Sequence, residues 1–257
     1  MPQIVHNARA YLLSFVGMTT DILDVHIQNW RHLRQDSVPG LYRTLLHHAK
    51  NRQGMPNSIG DVARLQGIFF DFDPAQVVGH YDEHTAILDQ IIAQGIPTAG
   101  HINPGNQRSH WVIYAKAALS AAKFLQSFPT AQSFHDFVES FYVNQYSRLA
   151  LPLLLKEELF GFGFALACDF LKESGYNGFV KPDTHLNDIC RAAGITNAKT
   201  DFGVFKDVVA YCTEHDIVPY EFDKLIWLVG SGNLYLVNRS LPTNKGDFIA
   251  NWMRRVG

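Results

Sequence analysis

Apolar residues in this chain recur at three- and four-residue steps and almost never in strict alternation. That period lays apolar side chains along one face of a helix, whereas a half-buried strand needs a period of two. In "TTDILDVHIQNWRHLRQ" the repeat runs through Leu23, Ile27, Trp30 and Leu33. "SHWVIYAKAALSAAKFLQSF" is apolar or Ala on most sides and reads as a buried central helix. Turn chemistry punctuates the pattern. Asn57-Ser58 is placed to cap "IGDVARLQ". Asp73-Pro74 opens "PAQVVGHY", with proline at the first helical position. Gly95 ends "DEHTAILDQIIAQG", and Thr130 or Ser133 caps the helix in "PTAQSFHDFVESFYV". The best strand candidate is the short "GNLYLV". The sequence therefore specifies an all-α protein of about a dozen helices, without internal repeats.

A length of 257 residues allows one large helical domain, 1–257, built as two lobes, with a core that needs no staples. The N-terminus reads as a first helix, lacking the basic region and cleavage site of a secretory signal. The longest purely apolar run, "LALPLLL", is too short to span a bilayer, so no membrane association and a cytoplasmic location are expected. The three cysteines, Cys168, Cys190 and Cys212, form no C-x-x-C pair, which excludes a disulfide framework and a four-cysteine zinc or iron–sulfur site. The adjacent His47 and His48 diverge on a helix and make a poor chelate. The formal net charge of −2 argues against a nucleic-acid binder. Its distribution is uneven: residues 27–53 carry a net +4, residues 61–90 a net −5, and residues 101–123 three cations and no acid. A neutral protein of this kind can still present one basic face. The least helical segment, "GIPTAGHINPGNQRSH" at 95–110, is a loop of the length that often carries function.

The chemistry concentrates in "LALPLLLKEELFGFGFALACDFL" and the "NGFVKPDTHLND" that follows. An apolar helix from 149 to about 158 meets Leu159-Phe160-Gly161-Phe162-Gly163, and a second helix starts near Phe164. Glycines at 161 and 163 permit a tight turn and leave backbone open to close approach. Turn amides and the first amides of the next helix make an anion site suited to a phosphate. A plain helical hairpin would have the same glycines. Pro182-Asp183 ahead of a helical pattern is an N-cap arrangement, with Asp183 able to accept from the amide of His185 or Leu186.

Taken together, the L-x-G-x-G hairpin, the helix and the Pro-Asp-Thr-His loop resemble the helix-hairpin-helix DNA glycosylase superfamily, the HhH-GPD group. The matching residues are Leu159, Gly161, Gly163, Ala167, Asp183, Thr184 and His185, and the interval from Ala165 to Asp183 is the one the family keeps between its lyase lysine and its catalytic aspartate. The clear resemblance covers residues 150–194. It implies a two-lobed helical glycosylase-like fold, with the helix-hairpin-helix at about 150–175 and a catalytic loop at 178–186. It also implies hydrolysis of the base–sugar bond of a flipped-out damaged or modified base in double-stranded DNA, in base excision repair or in attack on modified foreign DNA such as that of a phage. Asp183 would be the catalytic carboxylate. Gly161, Phe162, Gly163, Phe164 and His185 would contact DNA. Backbone carbonyls of Glu157, Leu159 and Phe162 would bind sodium or potassium.

The sequence departs from the family at Ala165, where bifunctional members have lysine, so an enzyme without lyase activity is expected. The iron–sulfur loop of some members is absent, no cofactor is required, and Phe160 stands where many members have proline. The base pocket is sought at Asn103, Trp111 and Tyr146, with Tyr114, Tyr142, Asn106, Gln107, Asn144 and Gln145 as further stacking or base-edge candidates. The expected state is a monomer. The competing reading is a non-catalytic helix-hairpin-helix DNA-binding protein.

Overall fold

A computed structural model of the chain describes residues 2–29, 33–52, 55–98 and 102–252. Along the chain the α-helices are α1 (Gln3–Leu13), α2 (Thr20–Gln28), α3 (Val38–Ala49), α4 (Met55–Ile59), α5 (Pro74–His80), α6 (His84–Ala93), α7 (His110–Leu125), α8 (Ala131–Ser140), α9 (Gln145–Glu158), α10 (Phe164–Glu173), α11 (Thr184–Ala192), α12 (Asp201–Glu214), α13 (Pro219–Ser231) and α14 (Lys245–Asp247). The sheet content among the described residues is one antiparallel pair of two-residue strands, β1 (Asn233–Leu234) and β2 (Arg239–Ser240), with Asn233 opposite Ser240. The all-α reading therefore holds.

The chain divides into two compact units, Arg34–Phe170 and Met1–Leu33 with Leu171–Gly257. In the first, α7 is the central element. It packs against α3, α4, α5, α6 and α9. Trp111, Val112, Tyr114, Leu119 and Leu125 are buried along it together with all of its alanines, and the small residues let neighbouring helices approach closely. The buried Tyr42 hydroxyl donates to the Ala118 carbonyl at 3.1 Å, fixing α3 on α7. In the second unit α13 plays the same part, contacting α1, α2, α11 and α12.

Caps fall largely where turn chemistry places them. The Asp73 carboxylate accepts from the amides of Ala75 and Gln76 at 2.9 and 3.3 Å and starts α5. Thr130 and Ser133 form a reciprocal capping box on α8. Gly95 takes φ +62 just past α6.

Three expectations need correction. α2 stops at Gln28, because Asn29 turns extended (φ −59, ψ 137). Leu33, 44% exposed, is no continuation of its buried stripe, and Trp30 lies outside the described residues. Asn57-Ser58 sits inside α4 instead of capping a helix. Gly60 at φ +70 then breaks the chain, and Asp61 caps a short 3₁₀ turn, Val62–Leu65, through the Ala63 amide at 3.0 Å. Within "GNLYLV" only Asn233 and Leu234 form a strand; Tyr235–Val237 is a 3₁₀ turn.

Burial, with the cations Lys50 and Arg43 next in weight, lowers the His47 imidazole from 6.5 to about 4. The folded state keeps this ring neutral while the unfolded chain protonates it, so stability falls as pH drops from 6.5 toward 4. Melting temperatures measured across that window should fall less steeply for His47→Gln than for the parent. Parallel curves would show that His47 does not set the slope.

Candidate active site

The hairpin is built on one face of α7. The last turn of α9 closes with the Leu159 amide on the Leu155 carbonyl at 2.9 Å, and the Phe162 amide returns to the Leu159 carbonyl at 3.1 Å. Gly161 adopts φ +76, which a side chain would strain by roughly 1–2 kcal/mol. Leu159 and Phe162 are buried and hold the turn down. From α7, the Ser120 hydroxyl accepts the Phe160 amide at 2.8 Å. The Lys116 ammonium stands 5.4 Å from the centre of the Phe160 ring. A Cβ at Gly161 would lie 3.6 Å from the Ile113 side chain. Residues 113, 116 and 120 share a helix face, so these contacts come from a single stripe.

What this support leaves open is backbone. The amides of Gly161, Gly163 and Ala165 find no acceptor among the described residues. A Cβ at Gly163 would meet nothing within 4 Å. Neither crowding inside the protein nor a left-handed φ demands glycine at 163. The turn and the start of α10 thus carry three alternate N–H groups without an acceptor among the described residues, the kind of donor set an anion site uses. The carbonyls of Glu157 and Phe162 likewise take no N–H from described residues.

Asp183 begins α11. Its Oδ1 accepts both the His185 amide at 2.9 Å and the Leu186 amide at 3.0 Å. Its Oδ2 accepts no hydrogen bond from any described residue, and the residue is half-buried. Pro182 fixes the approach, with the Asp183 amide on the Lys181 carbonyl at 2.7 Å. The cap thus occupies one oxygen and leaves the other with its charge undirected.

His185 lies against α13. A Cβ at Gly230 would come 2.2 Å from His185 Nδ1, so the ring occupies the space that glycine vacates. That Nδ1 is buried and has no hydrogen-bond partner among the described residues. This accounts for the first glycine of "GSGN". The second, Gly232, ends α13 at φ +64 with its amide on the Leu228 carbonyl.

The pocket candidates have different surroundings. Asn103 accepts the Gly105 amide within its own exposed turn at 3.0 Å. Tyr146 is 83% exposed, whereas Trp111 is buried beneath the Arg64 guanidinium, 5.7 Å from its ring. Asn106 and Asn144 accept from nearby amides, those of Arg108 and Ser147, and Gln107 accepts from Lys116. Tyr142 lies under the Arg148 guanidinium, and Tyr114 is fully buried with its hydroxyl unpartnered among the described residues. Ala99 to His101, within the long loop, lie outside the described residues. No group of three or more His, Cys, Asp or Glu among the described residues is placed to hold a metal ion.

Sequence reasoning missed the residues behind the Asp183 loop. Asp223 on α13 is buried, and its Oδ1 accepts the Lys181 amide at 2.6 Å while its Oδ2 takes the Lys172 ammonium at 2.5 Å. The one signal available was a pair of charges, Asp223-Lys224, amid the apolar run of α13.

Since the His185 ring fills the place of a Gly230 side chain, Gly230→Ala should displace the first turn of α11. The expected cost is roughly 1–3 kcal/mol in denaturant unfolding, as for overpacking of a filled core. A variant as stable as the parent would mean that His185 swings away freely.

No family model and no curated protein matches the chain. Among solved structures it is similar to Methanocaldococcus jannaschii 8-oxoguanine glycosylase/lyase, crystallised in complex with a 15mer DNA containing 8-oxoguanine. The identity is 18%, the match covers 91% of this chain and 99% of that one, and the TM-score is 0.54. With the hairpin and the capped helix in place, this likeness shows that the chain has the all-α fold of that glycosylase/lyase.

Proposed function

We propose that the protein is a monofunctional DNA glycosylase, which takes a damaged or modified base out of duplex DNA and hydrolyses its N-glycosidic bond. The observation that carries this reading is the division of Asp183: Oδ1 is held by two α11 amides, and Oδ2 is uncommitted. As the bond breaks, the sugar becomes oxocarbenium-like, and a fixed carboxylate oxygen beside it stabilises the developing positive charge. Water then attacks the anomeric carbon, Asp183 takes its proton, and the base leaves with the bonding pair.

The hairpin would hold a phosphate through the amides of Gly161, Gly163 and Ala165, with Lys116 nearby as a cation. Phe162 and Phe164 are buried, so what they offer DNA is backbone. Backbone binding needs few lysines, which reconciles a net charge of −2 with duplex DNA as partner. The carbonyls of Glu157 and Phe162, with that of Leu159, which also accepts the Phe162 amide, would hold a sodium or potassium ion, a hard cation that binds neutral oxygens. Such an ion would steady the turn; the reaction itself calls on no cofactor. The protein acts as a monomer, in repair or against modified foreign DNA according to the base it removes.

The decisive experiment incubates the protein with duplexes bearing damaged or modified bases, 8-oxoguanine among them, and reveals abasic sites with alkali. Asp183→Asn keeps an oxygen for the cap and loses the charge. Its base release should fall by roughly 10²–10³-fold while duplex affinity and melting temperature hold. Duplex binding without abasic sites on any substrate would favour a non-catalytic DNA-binding protein.

Substitution of Gly163 tests the hairpin separately. Because its Cβ position is open, Gly163→Leu should leave the fold intact and weaken binding to all duplexes alike. Unchanged affinity would move the phosphate contact elsewhere.

Ala165 has no amine to attack the sugar, and Lys156 on α9 is ion-paired with Glu157 at 3.5 Å. The abasic strand should therefore remain whole until alkali is added, and borohydride should trap little enzyme–DNA adduct. An efficient adduct lost in Lys181→Ala would make Lys181 a nucleophile and the enzyme bifunctional.

A further inference from the structure

The segment that carries Asp183 is tied to a charge network inside the same compact unit. Asp223, Lys172 and Lys224 are 3%, 4% and 7% exposed. Lys172 reaches Asp223 at 2.5 Å and Glu173 at 3.3 Å, and Lys224 reaches Glu173 at 2.7 Å. Two cations and two carboxylates thus balance. Burying such a set is a poor route to stability, since apolar residues of the same volume serve as well or better. What the network supplies is a located acceptor, Asp223 Oδ1, which holds the backbone amide of Lys181 at 2.6 Å, two residues before Asp183.

We propose that Asp223 is a positioning residue for the catalytic loop, anchoring Lys181-Pro182-Asp183 through the Lys181 amide, with Lys172 as the counter-charge that lets a carboxylate serve there. The inference rests on the glycosylase reading of Asp183. The anchor works from one end of the segment and the α11 cap from the other. With Pro182 between them, few torsions are left by which Asp183 could drift. Burial raises the Asp223 carboxyl and Lys172 draws it back down. Asp183 also raises it, so the two carboxylates lie within each other's field. The Lys172 ammonium offsets the repulsion that an unpaired Asp223 would exert on the catalytic charge.

Two double variants separate the anchor from the charge: Lys172→Met with Asp223→Asn, and Lys172→Met with Asp223→Leu. Both remove the ion pair at nearly constant volume, and only the first keeps an oxygen for the Lys181 amide. Hydrogen exchange at the Lys181 amide and single-turnover base release are measured for each, with duplex affinity alongside. The Asn variant should keep the Lys181 amide protected and release base. The Leu variant should lose that protection and release base roughly 10²-fold more slowly, as a displaced catalytic group does, with affinity unchanged. Equal exchange and equal rates in the two variants would overturn the proposal, as would a rate loss matched by lost affinity. Failure of the parent protein to release any base would instead count against the glycosylase reading, and the exchange measurement would still decide whether Asp223 anchors the loop.

Discussion

Asp223 is a carboxylate in the middle of a buried helix, and its neighbourhood follows from that fact. Taking such a charge out of water costs several kcal/mol even after relaxation, so it must be met by an opposite charge and by N–H donors. Lys172 on α10 supplies the charge and the Lys181 amide supplies a donor. The need to satisfy one buried carboxylate thereby joins α13, the end of α10 and the loop before α11. The residue beyond that loop is Asp183, whose own requirement is lighter. Two amides of α11 engage one oxygen, and the other accepts no hydrogen bond from the described residues.

The hairpin solves the opposite problem. Here the amides of Gly161, Gly163 and Ala165 find no acceptor among the described residues. Of the turn amides, that of Phe160 is accepted by α7, through Ser120, and α7 braces the turn with Ile113 and Lys116. An exposed amide loses little in water and gains most when a phosphate oxygen replaces that water. A turn supported from behind, with glycine on its outer side, meets the requirement without added positive charge.

Much of this organisation was legible in the sequence because it is local. A cap depends on residues within one turn, so Asp73, Thr130 and Asp183 could be read directly. A C-terminal glycine such as Gly95 depends only on its own φ. Where the reading failed, a non-local term decided. Asn57 and Ser58 have capping side chains, yet Ser58 bonds His110, 52 residues away, and sits inside α4. The apolar period of α2 continues to Leu33, yet no surface buries that side chain, and periodicity carries no information on that point.

The helical class, the glycine turn at 161–163 and the aspartate at the start of α11 follow from the amino acids alone. Each is fixed by backbone geometry and side-chain chemistry over a few residues. That Gly230 makes room for His185, that α7 braces the hairpin, and that Asp223 and Lys172 stand behind the Asp183 loop depend on how the helices pack. Those partners are 40 or more residues apart in sequence. No local propensity brings them together; packing does, because a buried charge, a filled space and an unpaired amide are settled only by whatever the fold places beside them.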